Sequence, residues 1–392
     1  TGTATVTVKA TDKYFDKDNC TLTSGNIKFY LDEVETTSGI TISVSNPTLI
    51  PETRMVNGVS TSVDIGAEYT ITITGITLDA DQAKLEIVAG TITDLNGNVS
   101  KKNEVILYNR LKSAETETEA TSAFLGNSSI PRQDIEKVVF ISGIAGSKEE
   151  GVQQVWDVSA VGDGSILAWT KHTAAPYTVY IGSEGAILAN RNSSYLFAHI
   201  GYGSECRSTE VITNLELLDT STVTNMQGMF WFCGYRKMDT LNLGTNFDTS
   251  NVINMREMFT GSGYQEMTTV NFGDKFITDN VQDMSWMFAN FGYTKLNSLS
   301  LPVSFVTNNV TDMSYMFMGC GYTAMTSLEL EENFDTSSVT DMSYMFKLCG
   351  YEKLATLNLG SNFNTSAVTN MNSMFQECGA SKLTSLDLEI GR

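Results

Sequence analysis

Two hydrophobic rhythms divide this chain. Residues 3–10, 26–31, 40–45, 69–76, 84–88 and 104–108 alternate apolar with polar positions, the spacing of strands that bury one face. From residue 193 the rhythm changes. Val339, Met342, Met345, Phe346 and Cys349 stand at i, i+3, i+6, i+7 and i+10, which is one stripe of a helix. The stripe returns every 29 residues: its first methionine at Met226, Met255, Met284, Met313, Met342 and Met371, its Met-Phe pair from Met229-Phe230 to Met374-Phe375. A fixed period in this range predicts stacked units that bury their apolar sides only against their neighbours.

The unit has readable ends. Thr222, Asn251, Asn280, Asn309 and Ser338 precede the valine in five copies, where an oxygen-bearing side chain caps a helix N-terminus; Ala367 departs from the pattern. Gly234, Gly263, Gly292, Gly321, Gly350 and Gly379 stand where a helix ends in the left-handed conformation. After the glycine, Leu354-x-x-Leu357-x-Leu359 shifts to a spacing of two, predicting a short strand with both later leucines on one side. Ser194-Tyr-Leu-Phe197 and Gly201-Tyr202 align with Ser343-Tyr-Met-Phe346 and Gly350-Tyr351, so one degenerate repeat precedes six regular ones. Seven turns at strand spacing give an array about 34 Å long.

The segment LxxLxLxxN resembles leucine-rich repeats, matched at Leu241, Leu243 and Asn246 and at Leu328, Leu330 and Asn333, with departures at Lys275 and Ser304. More closely, residues 248–255 (DTSNVINM) and 335–342 (DTSSVTDM), followed by the Met-Phe pair and a cysteine, resemble BspA-type surface-protein repeats. That resemblance implies a bacterial cell-surface protein with a part in adhesion. The alternating strands of residues 1–111, with the turn at residues 93–98, resemble bacterial Ig-like modules, without the antibody cysteine pair or core tryptophan.

The expected fold is therefore multi-domain: an all-β Ig-like sandwich over 1–111, a linker over 112–129, a β-rich cap over 130–192, and a right-handed α/β leucine-rich-repeat-like solenoid over 193–392 with parallel strands and short helices. Low-complexity KSAETETEATSAFLGN marks the linker and predicts a hinge. The cap reading rests on the need to cover the apolar end of a stack. Nothing polar closes the far end after Leu386-Asp-Leu388, which predicts further repeats, a covering partner or self-association there.

Composition narrows the function. Net charge is −20, with 25 basic residues against 45 acidic ones, which gives no field for nucleic acid. No apolar run is long enough to span a membrane. Absence of an initiator methionine or signal peptide predicts a piece of a larger surface protein. Cys233, Cys320, Cys349 and Cys378 share the stripe position and read as reduced core thiols; Cys20 and Cys206 stand alone, and no CxxC pair points to zinc. Acidic loops at 12–19 and 94–98 lack a calcium loop's spacing and read as solvated turns. His172 and His199 are the only histidines, neither in a catalytic pattern, so no enzyme, cofactor or metal site is expected.

Binding is the better prospect, because an array presents one position many times. The expected strand face comprises Thr240, Asn242, Thr269, Asn271, Ser298, Ser300, Ser327, Glu329, Thr356, Asn358, Ser385 and Asp387. Trp286, Tyr315 and Tyr344 are contact candidates on the outer helices. Tyr202, Tyr235, Tyr264, Tyr293, Tyr322 and Tyr351 form a column read as a structural ladder. The expected function is non-catalytic adhesion or recognition of a protein or cell-surface ligand by an extracellular protein. The alternative is a structural segment of a surface fibre or of a phage tail appendage.

Overall fold

Alternation in the first hundred residues is realised as antiparallel pairing. The computed structural model describes residues 2–330, 332–384 and 386, which divide after Asn109 into two compact units. The first holds β1 (Gly2–Thr11), β2 (Ile27–Leu31), β3 (Val34–Glu35), β4 (Thr41–Val44), β5 (Thr48–Val56), β6 (Val59–Ile76), β7 (Gln82–Ile87) and β8 (Asn103–Arg110), whose last residue opens the second unit. One sheet runs β1-β6-β4, with β5 also on β6; in another, β8, β7, β2 and β3 are successive neighbours. Tyr69, Ile71 and Ile73 of β6 are buried at alternate positions, as are Ile27 and Phe29 of β2, while β7 buries Leu85 together with the two residues before it. The hairpin of β5 with the first half of β6 was not among the expected strands, because Pro51 and mixed polarity interrupt the alternation. Its signal is the turn Asn57-Gly58, where both residues have positive φ.

In the second unit, β9 (Ala123–Phe124) pairs with β10 (Asn127–Pro131). A mixed sheet then joins β11 (Ile135–Ser142), β12 (Gln154–Asp157), β13 (Ile166–Thr170) and β14 (Tyr177–Ser183) in the order β12-β13-β14-β11. Further along the chain come β15 (Ala186–Leu188), β16 (Ile212–Thr213) and β17 (Leu218–Asp219); β16 lies parallel to β11, and β17 parallel to β15. The repeats contribute β18 (Thr240–Asn242), β19 (Thr269–Asn271), β20 (Ser298–Leu299), β21 (Ser327–Glu329) and β22 (Thr356–Asn358). These form two small parallel sheets, β18-β19 and β20-β21-β22.

The expected α/β solenoid with short helices is corrected here. Among the described residues there is no α-helix, the few helical elements are single 3-10 turns, and the sheets are several and small. The stripe residues Val339, Met342, Met345, Phe346 and Cys349 are all fully buried, but the backbone between them is a run of turns. Hydrogen bonding shows why. Met345, Lys347 and Cys349 donate their N–H groups three residues back, whereas Met342, Tyr344, Phe346 and Leu348 donate to Asn370, Asn372, Met374 and Gln376 in the next repeat. A helix needs every one of those donors for its own i−4 carbonyl. Tyr344 and Leu348 also sit at φ of 57 and 60°, values no α-helix contains.

The expected N-caps are corrected with it. Asn251, Asn280 and Asn309 turn their side-chain amides onto the carbonyls of Ser221, Ser250 and Asp279 in the preceding repeat. A second ladder was not foreseen: Thr220, Thr249, Thr278, Thr307 and Thr336 are buried and donate their hydroxyls to carbonyls one repeat on. A third is the bridge series Asn192, Asn225, Asn254, Asp283, Asp312, Asp341 and Asn370. Phe230, Phe259, Phe288, Phe317 and Phe346 stack through the core with centroids 5.4–5.7 Å apart.

Residues 112–129, expected as a linker, are part of the second unit's core: Ala114, Phe124 and Leu125 are buried in it. The reason is at the end of the stack. Carbonyls of each repeat accept N–H groups from the repeat before, and the degenerate first repeat has none before it. Arg132, fully buried, donates instead to the carbonyls of Tyr195, Leu196 and Ala198 at 2.8, 3.1 and 3.1 Å, and Ser113 to that of Asn192. Glu117, from the stretch expected as a linker, balances the guanidinium at 2.6 Å. Low apolar content hid this packing, because its purpose is to place one carboxylate and a few hydrogen bonds.

Candidate functional site

Register converts the repeat into rows. Within β18-β19, Thr240 pairs with Thr269 and Asn242 with Asn271; within β20-β21-β22, Ser298, Ser327 and Thr356 align, as do Glu329 and Asn358. Thr240, Asn242, Thr269, Asn271, Ser298, Ser300, Glu329, Thr356 and Asn358 are exposed, and Ser327 is half-buried. Ser385 and Asp387 lie outside the described residues. Leu241, Leu299, Leu328 and Leu357 point inward between them, as period two requires. The asparagines are partly committed: Asn242, Asn271 and Asn358 each accept the N–H of the glycine two residues on. Thr240, Thr269, Ser298 and Thr356 are the freer part of the face.

Trp286, Tyr315 and Tyr344 come together as one stack, with centroids 4.0 and 4.6 Å apart and planes within 12°. They stand on turns, not helices, each half-buried at a left-handed φ. Asn372 donates to the Tyr344 hydroxyl, and the Lys347 ammonium lies over the Tyr344 ring. Burial pushes the Tyr315 phenol up from its ordinary value. The left-handed position four residues later carries Phe232, Gly261, Asn290, Gly319, Leu348 and Glu377. Its glycines and asparagine were the overlooked sign that a helix does not form. A Cβ at Gly261 would meet the Phe232 ring of the preceding repeat at 2.5 Å, so small residues there make room for rings.

The tyrosine column is a continuous stack. From Tyr202 through Tyr235, Tyr264, Tyr293 and Tyr322 to Tyr351, neighbouring centroids lie 4.5–5.0 Å apart. Every ring is half-buried. Burial raises the phenol pKa of Tyr264 and of Tyr293.

The titratable groups are otherwise held structurally. His199 packs among Tyr202, Trp231 and Phe232, its Nε2 at 3.2 Å from the Thr118 carbonyl and its Nδ1 unpartnered. Burial lowers its pKa to about 4. His172 Nδ1 meets the Pro176 carbonyl at 2.6 Å. All six cysteines are free and buried, with burial pushing the Cys206 thiol up to about 11 and those of Cys233, Cys320 and Cys349 up as well. In the loops weighed for calcium, Asp94 accepts from the backbone of Asn96 and Asn98 and from the Asn98 amide, and Asp16 from Asp18 N–H and Asn19. Among the described residues no three His, Cys, Asp or Glu side chains are grouped to hold a metal ion.

A family model described as "Mycoplasma protein of unknown function, DUF285" matches residues 202–324 and 282–388, two overlapping passes over the repeats. No curated protein and no solved structure matches the chain.

Proposed function

We propose that the chain is a non-catalytic, extracellular surface protein that recognises a protein or cell-surface ligand through its repeats. The observation that carries this reading is the in-register row of exposed Thr240, Thr269, Ser298 and Thr356, flanked by Asn242, Asn271, Glu329 and Asn358, presented by backbone that the next repeat locks in place. Rigid repetition supports multivalent contact, in which weak sites add without new ordering cost. The likeness of the DTSNVINM and DTSSVTDM segments to BspA-type repeats supports a surface role.

Binding of the full chain to host-cell surfaces and to arrays of immobilised matrix proteins and glycans, followed by interferometry on each positive ligand, tests the proposal. Thr240→Lys, Thr269→Lys and Thr356→Lys combined should weaken binding at least about tenfold, equivalent to about 1.4 kcal/mol. Equal affinity of that variant for every ligand found, or no ligand at all, overturns it.

A further inference from the structure

The half-buried tyrosine column has a geometry the hydrophobic core does not require. The phenylalanine column already fills the interior, with Phe230 to Phe346 fully buried. The tyrosines stack separately, each keeping part of its surface in solvent. Tyr264–Tyr293, Tyr293–Tyr322 and Tyr322–Tyr351 have centroids 4.5, 4.6 and 4.8 Å apart and planes within 6, 7 and 9° of parallel. Tyr235–Tyr264 follows at 4.8 Å and 20°, and only Tyr202–Tyr235 is steeply tilted, at 47°. Neighbouring phenols are thus held in contact across consecutive repeats, accessible to an oxidant and fixed in one order.

We propose that Tyr264, Tyr293, Tyr322 and Tyr351 form an oxidative cross-linking site at which dityrosine bonds join adjacent repeats. The co-reactant is hydrogen peroxide, used by a haem peroxidase as a one-electron oxidant. Each of two neighbouring phenols gives up one electron and one proton, and the resulting phenoxyl radicals couple through their ortho Cε carbons. The hydrogens on those carbons move to the oxygens, restoring two phenols. One carbon–carbon bond forms, two hydrogen atoms leave in total, and one peroxide is reduced to two waters. Because coupling takes rings in pairs, the column yields Tyr264–Tyr293 with Tyr322–Tyr351, or Tyr293–Tyr322 alone. Each bond closes a loop of one repeat, so the product should resist unfolding. Tyr315–Tyr344, at 4.6 Å and 12°, meets the same conditions.

The test treats the full chain, dilute enough to suppress encounters between molecules, with a haem peroxidase and hydrogen peroxide. Expected results are dityrosine fluorescence from monomeric protein, a mass loss of two hydrogens per bond, and linkage of tryptic fragments 257–275 and 276–295, which carry Tyr264 and Tyr293. Tyr293→Phe keeps the stacked ring and should remove that fragment pair while leaving Tyr322–Tyr351. Circular dichroism before oxidation checks that this variant is folded. Dityrosine only between molecules, bonds that ignore repeat order, or none while free tyrosine couples in the same mixture would each overturn the proposal.

Discussion

The N-terminal unit and the repeats both rely on backbone hydrogen bonds between extended segments, yet they find partners differently. In the first unit, β1 reaches across to β6 and β2 to β7, so each strand has its own antiparallel neighbour and each sheet its own edges. In the repeats the partner is a neighbouring copy, and along the Met-Phe turns alternate N–H groups all point towards the next one. Directionality is the lesson: that ladder of turns sends its donors one way and leaves a row of acceptors at its start. Water would satisfy that row on an open surface; in a buried one a side chain must. Arg132 takes the role, supported by Glu117.

Removing that plug should separate the two regions most sharply. Arg132→Ala leaves Glu117 without its cation and the Leu196 and Ala198 carbonyls without their donor, and should destabilise the second unit by about 3–5 kcal/mol. Denaturant unfolding followed by tryptophan fluorescence reads this unit alone, since Trp156, Trp169, Trp231 and Trp286 all lie in it. A loss below about 1 kcal/mol would mean that the first repeat does not depend on side-chain donors.

Acid probes the same end of the stack. His199 has a folded pKa of about 4 against an ordinary 6.5, because burial disfavours the charged ring. Unfolded chains therefore bind more protons between those values. The contribution is complete above about pH 6.5, declines as pH falls towards 4, and reaches about 3 kcal/mol lost below that. Asn290 occupies the equivalent left-handed position in a regular repeat, so His199→Asn fits the backbone and should flatten the difference in stability between pH 7 and pH 5. An unchanged slope would refute the assignment.

Within the stack, Thr278 both donates to the Val306 carbonyl and accepts its N–H, each at 2.7 Å. Thr278→Val keeps the shape but removes both bonds, leaving the Val306 carbonyl without this donor and its N–H with only the Ser304 carbonyl, at an expected cost of about 1–3 kcal/mol by equilibrium denaturation. The smallest effect belongs to Met371, 49% exposed although it shares its column with the fully buried Met342. Met371→Ala should change stability by no more than about 0.5 kcal/mol. A cost comparable to a core methionine would show that Met371 is covered in solution.

Legibility followed the kind of information involved. The apolar stripe was readable because burial depends on residue type, and Val339, Met342, Met345, Phe346 and Cys349 are all inside. Helix was the wrong inference from it, since residues at helical spacing also face inward when turns alternate with cross-repeat bonds. Tyr315 and Tyr344 at positive φ gave no warning, being residues that seldom adopt it. The strand-face threonines were identifiable from period two, while the aromatic stacks required knowing which copies meet.

What the amino-acid order determined by itself was the register: a period of 29 places equivalent residues opposite one another whatever backbone lies between them. Tertiary structure alone decided where each N–H goes. A donor is indifferent, residue by residue, between its own chain and the next repeat, and only the presence of that repeat, or of Arg132 where a preceding one is missing, settles the choice.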